Sequence, residues 1–375
     1  MQVHPLIRAA AFGAALLASQ AVGAAQIVIG QVAPLSGLEA NQGRAYSTGI
    51  QLYLNHVNKS GGVNGHTFTL VRKDDGGRPE DTLAATRQLL VEHRPLVLAG
   101  YFGNGSIAQL VSSDLLGKEK IALVGYRSAE IRSETPWVYS VRAGLRDEIN
   151  KIAEHLVTVG ITRLGLLYED GPGAAALLST TEEVMKRTGA TIVAKASYPA
   201  GTAKVGAAVS TFMAAAPQAV ILVTTGAAAA AFVEQYRSSG GGAQLFAHSG
   251  ADVEQLAKRL PEEYMQGIAI AQVTPNPYKI SGKLAKEFSD AVAKTPNLEV
   301  PVSYAMMEGY IAGKVIVEAV RRMGAKLSRE ALVSALDSLD SIDLGGYQLG
   351  YRPGMRSGSR FVELSIINGS GRIRQ

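Results

Sequence analysis

The sequence predicts an α/β protein with two Rossmann-like lobes, each a parallel sheet flanked by helices. Its 375 residues exceed the ~250–300 at which a single hydrophobic core stops growing. Short apolar runs alternate with helical patterns in a repeated βαβ order, which is typical of parallel sheets covered on both faces. This alternation restarts after residues 139–141. We therefore expect two lobes of similar construction.

The first βαβ series occupies the segment before that restart. Pro79 fits the first turn of a helix, where its missing N–H costs nothing. The glycine-rich run 61–65 ends the preceding helix. The predicted strands are 26–33, 66–73, 95–100 and 121–125, and the predicted helices are 44–58, 79–92 and 106–116.

The second series follows the same order and is succeeded by long helices. Strands are predicted at 163–168, 191–198, 219–224, 244–247 and 268–274, and helices at 147–159, 174–188, 205–215 and 228–238. Further helices are predicted at 280–294, 303–323 and 328–338. The tail from 347 to 374 alternates like antiparallel strands.

The first 25 residues are predicted to be a signal peptide. Arg8 supplies a positive charge before the apolar run 9–18, which is too short to cross a bilayer as a helix. Small residues at 22–25 fit a cleavage site. A buried helix of the mature fold is the alternative, but a strand pattern begins at Gln26. We expect a soluble periplasmic protein without a lipid anchor, since the sequence has no cysteine.

Composition excludes several classes of function. Hydrophobic residues make up 47% and charged residues 18%, an ordinary globular balance. The net charge of +5 comes from scattered single or paired charges, so a nucleic-acid partner is not expected. The absence of cysteine excludes disulfides and thiolate catalysis. The six histidines form no i, i+4 pair, so no metal site is expected.

A glycine-rich turn lies between a predicted strand and a predicted helix at residues 100–108. Gly103, Gly105 and Ala108 match the G-x-G-x-x-A pattern of dinucleotide-binding proteins. However, this is not the first βα turn, and the next strand ends in 125–127 without a carboxylate that would hold a ribose. An NAD-dependent α/β enzyme is therefore the least favoured hypothesis.

The same turn is suited to an anion. Backbone N–H groups at a helix N-terminus and the helix dipole favour negative charge there. Ser106 adds a hydroxyl donor, so a ligand carboxylate would fit. A simple strand–helix turn capped by Asn104 or Ser106 is the alternative. The residues by themselves leave both interpretations open.

No catalytic constellation is visible. The sequence contains neither a G-x-S-x-G nucleophile turn nor an H-E-x-x-H motif. Its adjacent carboxylate pairs, 74–75 and 262–263, point in different directions. We therefore expect a protein that is not an enzyme, with no catalytic residue and no cofactor.

Several segments together resemble a known family. The opening Pro-Leu-Ser-Gly at 34–37 is followed by a distinctive stretch from Gly49 to Gly65 and by the aspartate pair 74–75. C-terminal matches lie at 308–310, 345–347 and 358–362. On these residues the chain resembles the Leu/Ile/Val-binding protein family of ABC-transporter solute-binding proteins, which has the type I periplasmic binding fold.

The resemblance implies a domain plan and a function. Three hinge crossings are expected near Gly144, Val273 and Gly345. The first lobe would then comprise 26–144 and 274–345, and the second 145–273 and 346–375. The implied function is the periplasmic component of an ABC importer, a monomer that captures a small molecule between its lobes and passes it to the inner-membrane permease. A ligand-sensing receptor subunit of the same fold is the alternative.

The resemblance also implies ligand-binding positions. From the first lobe, a ligand carboxylate would be held by Asn104, Gly105, Ser106, Tyr126 and Ser128. Further contacts are expected from Ser36 and Gln42, and from Tyr168, Thr225 and Ser249 in the second lobe.

Three positions depart from the amino-acid binders of the family. Gln42 and Pro172 stand where aromatic residues are expected. Ser249-Gly250 stands where an acidic residue would meet an α-ammonium group, and Asp252 is the nearest carboxylate. The ligand is thus either an amino acid, branched-chain or other, or an aromatic or short organic acid.

Overall fold

The computed structural model describes residues 25–129, 135–324, 327–367 and 373–374. The predicted signal peptide therefore lies outside the described residues, apart from residue 25. Within these ranges no helix combines the length and the apolar character needed to cross a membrane.

The first lobe is built on a five-stranded parallel sheet of order β2-β1-β3-β4-β5. Its strands are β1 (Gln26–Ala33), β2 (Thr67–Asp74), β3 (Val97–Phe102), β4 (Leu123–Arg127) and β5 (Val138–Tyr139). Its first helices are α1 (Ala40–Lys59), α2 (Pro79–His93), α3 (Asn104–Ser112) and α4 (Leu115–Glu119). Strands β3 and β4 are buried along their whole length, as expected of a sheet covered on both faces.

The second lobe repeats this construction. Its strands are β6 (Arg163–Glu169), β7 (Thr191–Tyr198), β8 (Ala219–Val223), β9 (Gln244–Ala247) and β10 (Ala269–Gln272). They are flanked by α5 (Leu145–Thr158), α6 (Ala174–Thr188), α7 (Gly206–Ala215), α8 (Gly226–Ser238), α9 (Val253–Arg259) and α10 (Glu262–Met265). These five strands pair in parallel in the order β10-β9-β8-β6-β7.

The chain then returns to the first lobe through α11 (Lys283–Ala293), α12 (Tyr304–Met323) and α13 (Arg329–Asp337). Helix α12 packs closely along α1. A Cβ atom at Gly49 would collide with the Met306 carbonyl, and one at Gly309 would collide with the Tyr46 carbonyl. Two glycines thus permit backbone-to-backbone contact between these helices.

A small antiparallel sheet comes next, formed by β11 (Ile342–Asp343), β12 (Gln348–Arg352) and β13 (Met355–Gly358). Tyr347, Leu349 and Tyr351 of this region pack into the hydrophobic core of the first lobe. Among the described strands that follow α13, the last two, β14 (Glu363–Ile367) and β15 (Ile373–Arg374), join the second sheet, with β14 antiparallel to β10.

The three connections between the lobes lie at 140–144, 273–282 and 359–362. The last differs from the sequence-based expectation, which placed it near Gly345 and assigned residues 346–358 to the second lobe. Alternating side chains predict strands there, but alternation does not specify which core the strands cover. The two α/β lobes with parallel sheets flanked by helices are confirmed.

Candidate functional site

A cavity of about 280 Å³ lies between the two lobes. Its wall includes residues that follow β3 and β4 in the first lobe and β8 and β9 in the second. These are the carboxyl ends of parallel strands, the usual location of ligand sites in open α/β sheets.

The glycine-rich turn forms part of the first-lobe wall. Residues 103–106 all line the cavity, and Gly103 precedes α3 with φ 92° and without a side-chain cap on the helix. The first N–H groups of a helix have no acceptor within it, so this turn presents donors and a positive dipole end. A Cβ atom at Gly105 would lie 2.8 Å from Pro79 Cγ, so glycine also allows α3 to pack on α2.

The Ser106 hydroxyl belongs to an internal hydrogen-bonded chain. Its Oγ lies 2.8 Å from Thr82 Oγ1, and Thr82 donates to Asp75 Oδ2 at 2.7 Å. Because Thr82 has only one hydroxyl proton, Ser106 must donate to Thr82. Burial raises the pKa of Asp75. The hydroxyl of Ser106 is therefore engaged with α2, and the donors left to a ligand at this turn are backbone N–H groups.

Asn104 connects the two lobes across the cavity. Its Nδ2 donates to Glu169 Oε2 at 2.7 Å, while its Oδ1 accepts from Ser128 Oγ at 2.9 Å and from the Ala129 N–H at 2.7 Å. The Gly201 N–H donates to the other oxygen of Glu169 at 3.1 Å. Both ends of the Asn104 amide are thus occupied by protein groups.

The second-lobe wall contains two threonines with different environments. Thr225 caps α8, since its Oγ1 accepts from the Ala228 N–H and its own N–H donates to Tyr198 OH at 3.1 Å. Thr224 is only 3% exposed and lines the cavity. No hydrogen-bond partner for its Oγ1 occurs in the described ranges. Such a buried hydroxyl is unfavourable unless an ordered water or a bound molecule satisfies it.

His248 lies in the same wall and is neutral. Its Nδ1 accepts from the Gly250 N–H at 3.2 Å, so its Nε2 carries the proton and donates to the Thr224 carbonyl at 3.0 Å. Burial lowers the pKa of His248 to about 4. This histidine therefore fixes backbone geometry and is not a charged ligand contact near neutral pH.

Glu39 reaches from the first lobe to the second. Its Oε2 accepts from Gln42 Nε2 at 2.9 Å and from Gln255 Nε2 at 2.7 Å, and its Oε1 accepts from the Ala227 N–H at 3.3 Å. Ala227 is in the first turn of α8, where a carboxylate is favoured by the helix dipole. Burial raises the pKa of Glu39.

Two buried arginines, Arg127 and Arg142, form part of the cavity wall, and each is 6% exposed. Arg142 pairs with Glu148 Oε1 at 2.7 Å and lies 3.6 Å from Glu308 Oε2. Burial lowers the pKa of Arg142, but the carboxylates of Glu308 and Glu148 together raise it by more than burial lowers it. The net pKa of Arg142 is therefore above the ordinary value. Arg127 also pairs with Glu308, at 3.3 Å.

Six of the ten sequence-predicted ligand positions line the cavity, namely Gln42, Asn104, Gly105, Ser106, Ser128 and Thr225. The remaining four, Ser36, Tyr126, Tyr168 and Ser249, lie outside its wall. Ser36 is exposed, and its N–H donates to Asp74 Oδ1 at 3.2 Å. Ser249 is buried behind the wall, where its N–H donates to Glu148 Oε2 at 2.7 Å.

The two tyrosines are displaced from the cavity by one residue. Tyr126 packs into the first-lobe core, and Tyr168 packs beside a second-lobe core cluster. The following residues, Arg127 and Glu169, line the cavity instead. Successive side chains of a strand point to opposite faces, so an alignment shifted by one residue exchanges a wall position for a core position.

Sequence reasoning missed the charged part of the wall, Glu39, Arg127, Arg142 and Glu169. Strand alternation beside Tyr126 and Tyr168 is a signal that could have indicated Arg127 and Glu169. No local pattern indicates Arg142, whose partner Glu308 comes from α12. Among the described residues, no cluster of three or more histidine, aspartate or glutamate side chains is arranged to hold a metal ion.

Comparison with known proteins agrees with this two-lobed architecture. A family described as "Periplasmic binding protein" matches residues 26–360. The Leu/Ile/Val-binding protein homolog 7 of Brucella melitensis is 26% identical over 356 residues, covering 90% of this chain and 87% of the relative.

Solved structures show the same similarity. A substrate-binding periplasmic protein from Ralstonia solanacearum is 36% identical with a TM-score of 0.86, covering 93% of this chain and 99% of its own. An extracellular ligand-binding receptor from Verminephrobacter eiseniae is 25% identical with a TM-score of 0.85, covering 93% and 100%. The resemblance to the Leu/Ile/Val-binding proteins and the type I fold is confirmed. The chain therefore belongs to the periplasmic binding protein family.

Proposed function

We propose that this protein is the periplasmic solute-binding component of an ABC importer. In this function it captures a small carboxylate-bearing ligand between its lobes and, as a monomer, delivers it to an inner-membrane permease. The observation that carries the proposal is the interlobe cavity, whose wall combines an uncapped helix N-terminus from one lobe with an unpartnered threonine hydroxyl from the other.

The polar groups suggest how such a ligand would bind. The backbone N–H groups at the start of α3 would receive the carboxylate, since helix N-termini bind anions readily. Thr224 Oγ1 would form a hydrogen bond to another polar atom of the ligand from the opposite lobe. A molecule held at both points joins the lobes and favours the closed arrangement.

The cavity also limits the ligand's size and charge. Its volume of about 280 Å³ is just below the ~300–1,000 Å³ typical of small-molecule sites, so the ligand is expected to be small. The side chains of Phe102, Tyr198 and Val223 form an apolar part of the cavity wall, which would contact a hydrocarbon portion of the ligand. Glu39 and Glu169 are the acidic side chains of the wall, and both already accept from protein amides. An amino acid and a carboxylate without an amine therefore both remain candidates, to be separated by experiment.

A binding screen tests the proposal. Thermal shift and calorimetry should be measured with amino acids, aromatic acids and dicarboxylates. Leucine and 4-methylpentanoate form a pair that differs only by the presence of the amine. A ligand at 100 times its dissociation constant adds about 2.7 kcal/mol to the free energy of unfolding. If no carboxylate in the screen stabilises the protein, the proposed ligand class is wrong.

Thr224→Val then tests the site itself. Removing a buried hydroxyl that has no partner should raise the stability of the ligand-free protein by about 1–3 kcal/mol. The same change should lower ligand affinity about tenfold, because a hydrogen bond to the ligand is lost. Opposite signs for stability and affinity are the expected signature.

Thr86→Val is the matched control. Thr86 is buried, its hydroxyl donates to the Thr82 carbonyl at 2.7 Å, and it lies 3.0 Å from Tyr101 OH. This variant should lose stability and keep wild-type affinity. Unchanged affinity in Thr224→Val would show that the ligand does not use this hydroxyl.

The alternative function is a ligand-sensing receptor subunit of the same fold. Deletion of the gene distinguishes the two functions once the ligand is known. Loss of ligand uptake supports the importer, whereas intact uptake with a lost response to the ligand supports the sensor. The similar proteins are substrate-binding proteins, which is consistent with a non-enzyme. We accordingly expect no thermal shift with NAD.

A further inference from the structure

We propose that Arg127 is a positioning residue that locks the second lobe over the ligand cavity. The proposal rests on the lobe closure implied by the proposed function, and it concerns the protein without ligand. Arg127 ends β4 of the first lobe, and its side chain lies in the inner wall of the cavity. Its guanidinium carbon is 5.8 Å from the centroid of the Phe102 ring.

The guanidinium contacts both lobes at once. Within the first lobe, its Nη1 donates to Gln42 Oε1 and its Nε lies 3.3 Å from Glu308 Oε2. Toward the second lobe, its Nη2 donates to the Ser249 carbonyl at 3.2 Å, and its Nη1 lies 3.8 Å from Asp252 Oδ2. One buried cation therefore joins groups that only the closed arrangement brings together.

Arg142 provides an internal contrast. It sits at the hinge, on the connection 140–144, and pairs with Glu148, six residues further along the chain at the start of α5. It also donates to Ser249 Oγ of the second lobe and lies 3.6 Å from Glu308 of the first. Arg127 and Ser249 are separated by 122 residues. Opening of the cleft can therefore preserve the short-range Arg142–Glu148 pair, but it must separate Arg127 from Ser249 and Asp252.

Electrostatics explains why loss of this cation would favour the open form. Asp252 and Glu308 are buried in the closed structure. Removing the guanidinium leaves their charges buried with less compensation, which is strongly unfavourable. When the cleft opens, water reaches these carboxylates and relieves the penalty. An uncharged residue at position 127 should therefore shift the ligand-free protein toward the open form.

A substitution at Asp252 can remove the negative charge that faces Arg127 without disturbing the start of α9. Its Oδ1 accepts from the Gln255 N–H at 2.9 Å and so caps α9, and its φ is 56°. Asparagine is an equally good cap and tolerates positive φ. Asp252→Asn should therefore remove the negative charge and retain the cap.

The test measures the distance between the lobes by electron–electron double resonance. Because the sequence has no cysteine, Glu80→Cys and Lys204→Cys introduce one spin label on each lobe. Both positions are exposed and close in sequence to the cavity residues Pro79 and Thr202. Without ligand, we expect the wild-type protein to show a short-distance population from the closed form and a long-distance population from the open form. In Arg127→Met, the ratio of the short-distance to the long-distance population should fall at least about tenfold.

Two further variants distinguish the effect of Arg127 on lobe closure from an effect on the overall stability of the protein. In Arg127→Met/Asp252→Asn, the short-distance population should partly recover, because the charge of Asp252 has gone and only that of Glu308 remains. Arg329→Met is the matched control, since Arg329 pairs with Glu119 at 2.8 Å within the first lobe. This control should lower the melting temperature and leave the distance distribution unchanged. If Arg127→Met does not fold, Arg127→Lys can replace it. This variant keeps the charge but loses the planar guanidinium, so its short-distance population should be smaller than that of the wild type but not lost.

Three results would overturn the proposal. They are an unchanged distance distribution in Arg127→Met, a wild-type protein that is wholly open without ligand, and no recovery in the double variant. Any of these results together with a positive ligand screen would reject the lock and leave the proposed function standing. A negative screen with the expected distances would reject the ligand class alone.

Discussion

Removing the hydroxyl group from two buried tyrosines should lower the stability of the protein at Tyr347 but not at Tyr46. Tyr347 OH lies 2.8 Å from the Val141 carbonyl and 2.9 Å from the Val273 carbonyl, so it joins the first two connections between the lobes. Tyr46 is equally buried, but no partner for its hydroxyl occurs in the described ranges. Burial raises the pKa of both tyrosines, so both remain protonated.

The magnitudes follow from this difference. Tyr347→Phe leaves two buried carbonyl groups without the hydroxyl, which should cost about 1–3 kcal/mol. An unfolding entropy of about 2.1 cal/mol/K per residue corresponds to a shift of about 1.4 °C per kcal/mol for a chain of this length, so its melting temperature should fall by about 1–4 °C. Tyr46→Phe removes a hydroxyl that is buried without compensation and should be neutral or stabilising. Tyr351→Phe, which loses one bond to the Ser140 carbonyl at 2.7 Å, should fall between them.

The free energy of unfolding of the three variants should be measured by urea unfolding followed by circular dichroism, and their melting temperatures by scanning calorimetry. From most to least stable, the expected order is Tyr46→Phe, Tyr351→Phe and Tyr347→Phe. Because Tyr347 ties two connections together, its variant should also change ligand affinity. If Tyr46→Phe loses as much stability as Tyr347→Phe, the reasoning from hydroxyl partners is refuted.

Two more predictions concern a buried acid and a helix contact. Burial and the nearby Asp252 raise the pKa of Glu254 to about 8. The folded state then holds one more proton than the unfolded state between about pH 4.5 and 8, so stability falls as pH rises, by at most ~1.4 kcal/mol per unit. Glu254→Gln should flatten this slope in urea titrations from pH 5 to 8, and an unchanged slope would contradict the assignment. Gly309→Ala should lower the free energy of unfolding by about 1–3 kcal/mol, because its Cβ would meet the backbone of α1. Gly313→Ala is the control and should cost clearly less, because its Cβ would lie 3.2 Å from Tyr53 Cβ. Equal losses of stability in the two variants would argue against close α1–α12 packing.

The hydrophobic periodicity and the turn residues were sufficient to predict most of the secondary structure. The strand predicted at 244–247 is β9, and the helix predicted at 303–323 begins at Tyr304 in the structure. One helix predicted at 106–116 is instead two short helices, α3 and α4. Asp114, with φ 54°, interrupts it. Aspartate adopts the left-handed conformation more readily than most residues, and apolar spacing does not reveal that choice.

The position of the glycine-rich turn in the cavity wall was predictable because it depends on backbone. A glycine-rich turn after a buried strand determines an exposed helix N-terminus, and residues 103–106 line the cavity. The hydroxyl of Ser106 could not be assigned in this way. Its partner Thr82 lies on another helix, and that contact depends on how α2 and α3 pack.

The sequence by itself determined the α/β class, the two repeated units and the polar turn, because each depends on residues close together in the chain. Only the tertiary structure decided which core the strands after Gly345 cover and which charges meet behind the cavity. Arg127, Asp252 and Glu308 come from three distant elements and leave no local pattern. They are stable when buried only as a paired set, so their pairing is a property of the folded lobes together.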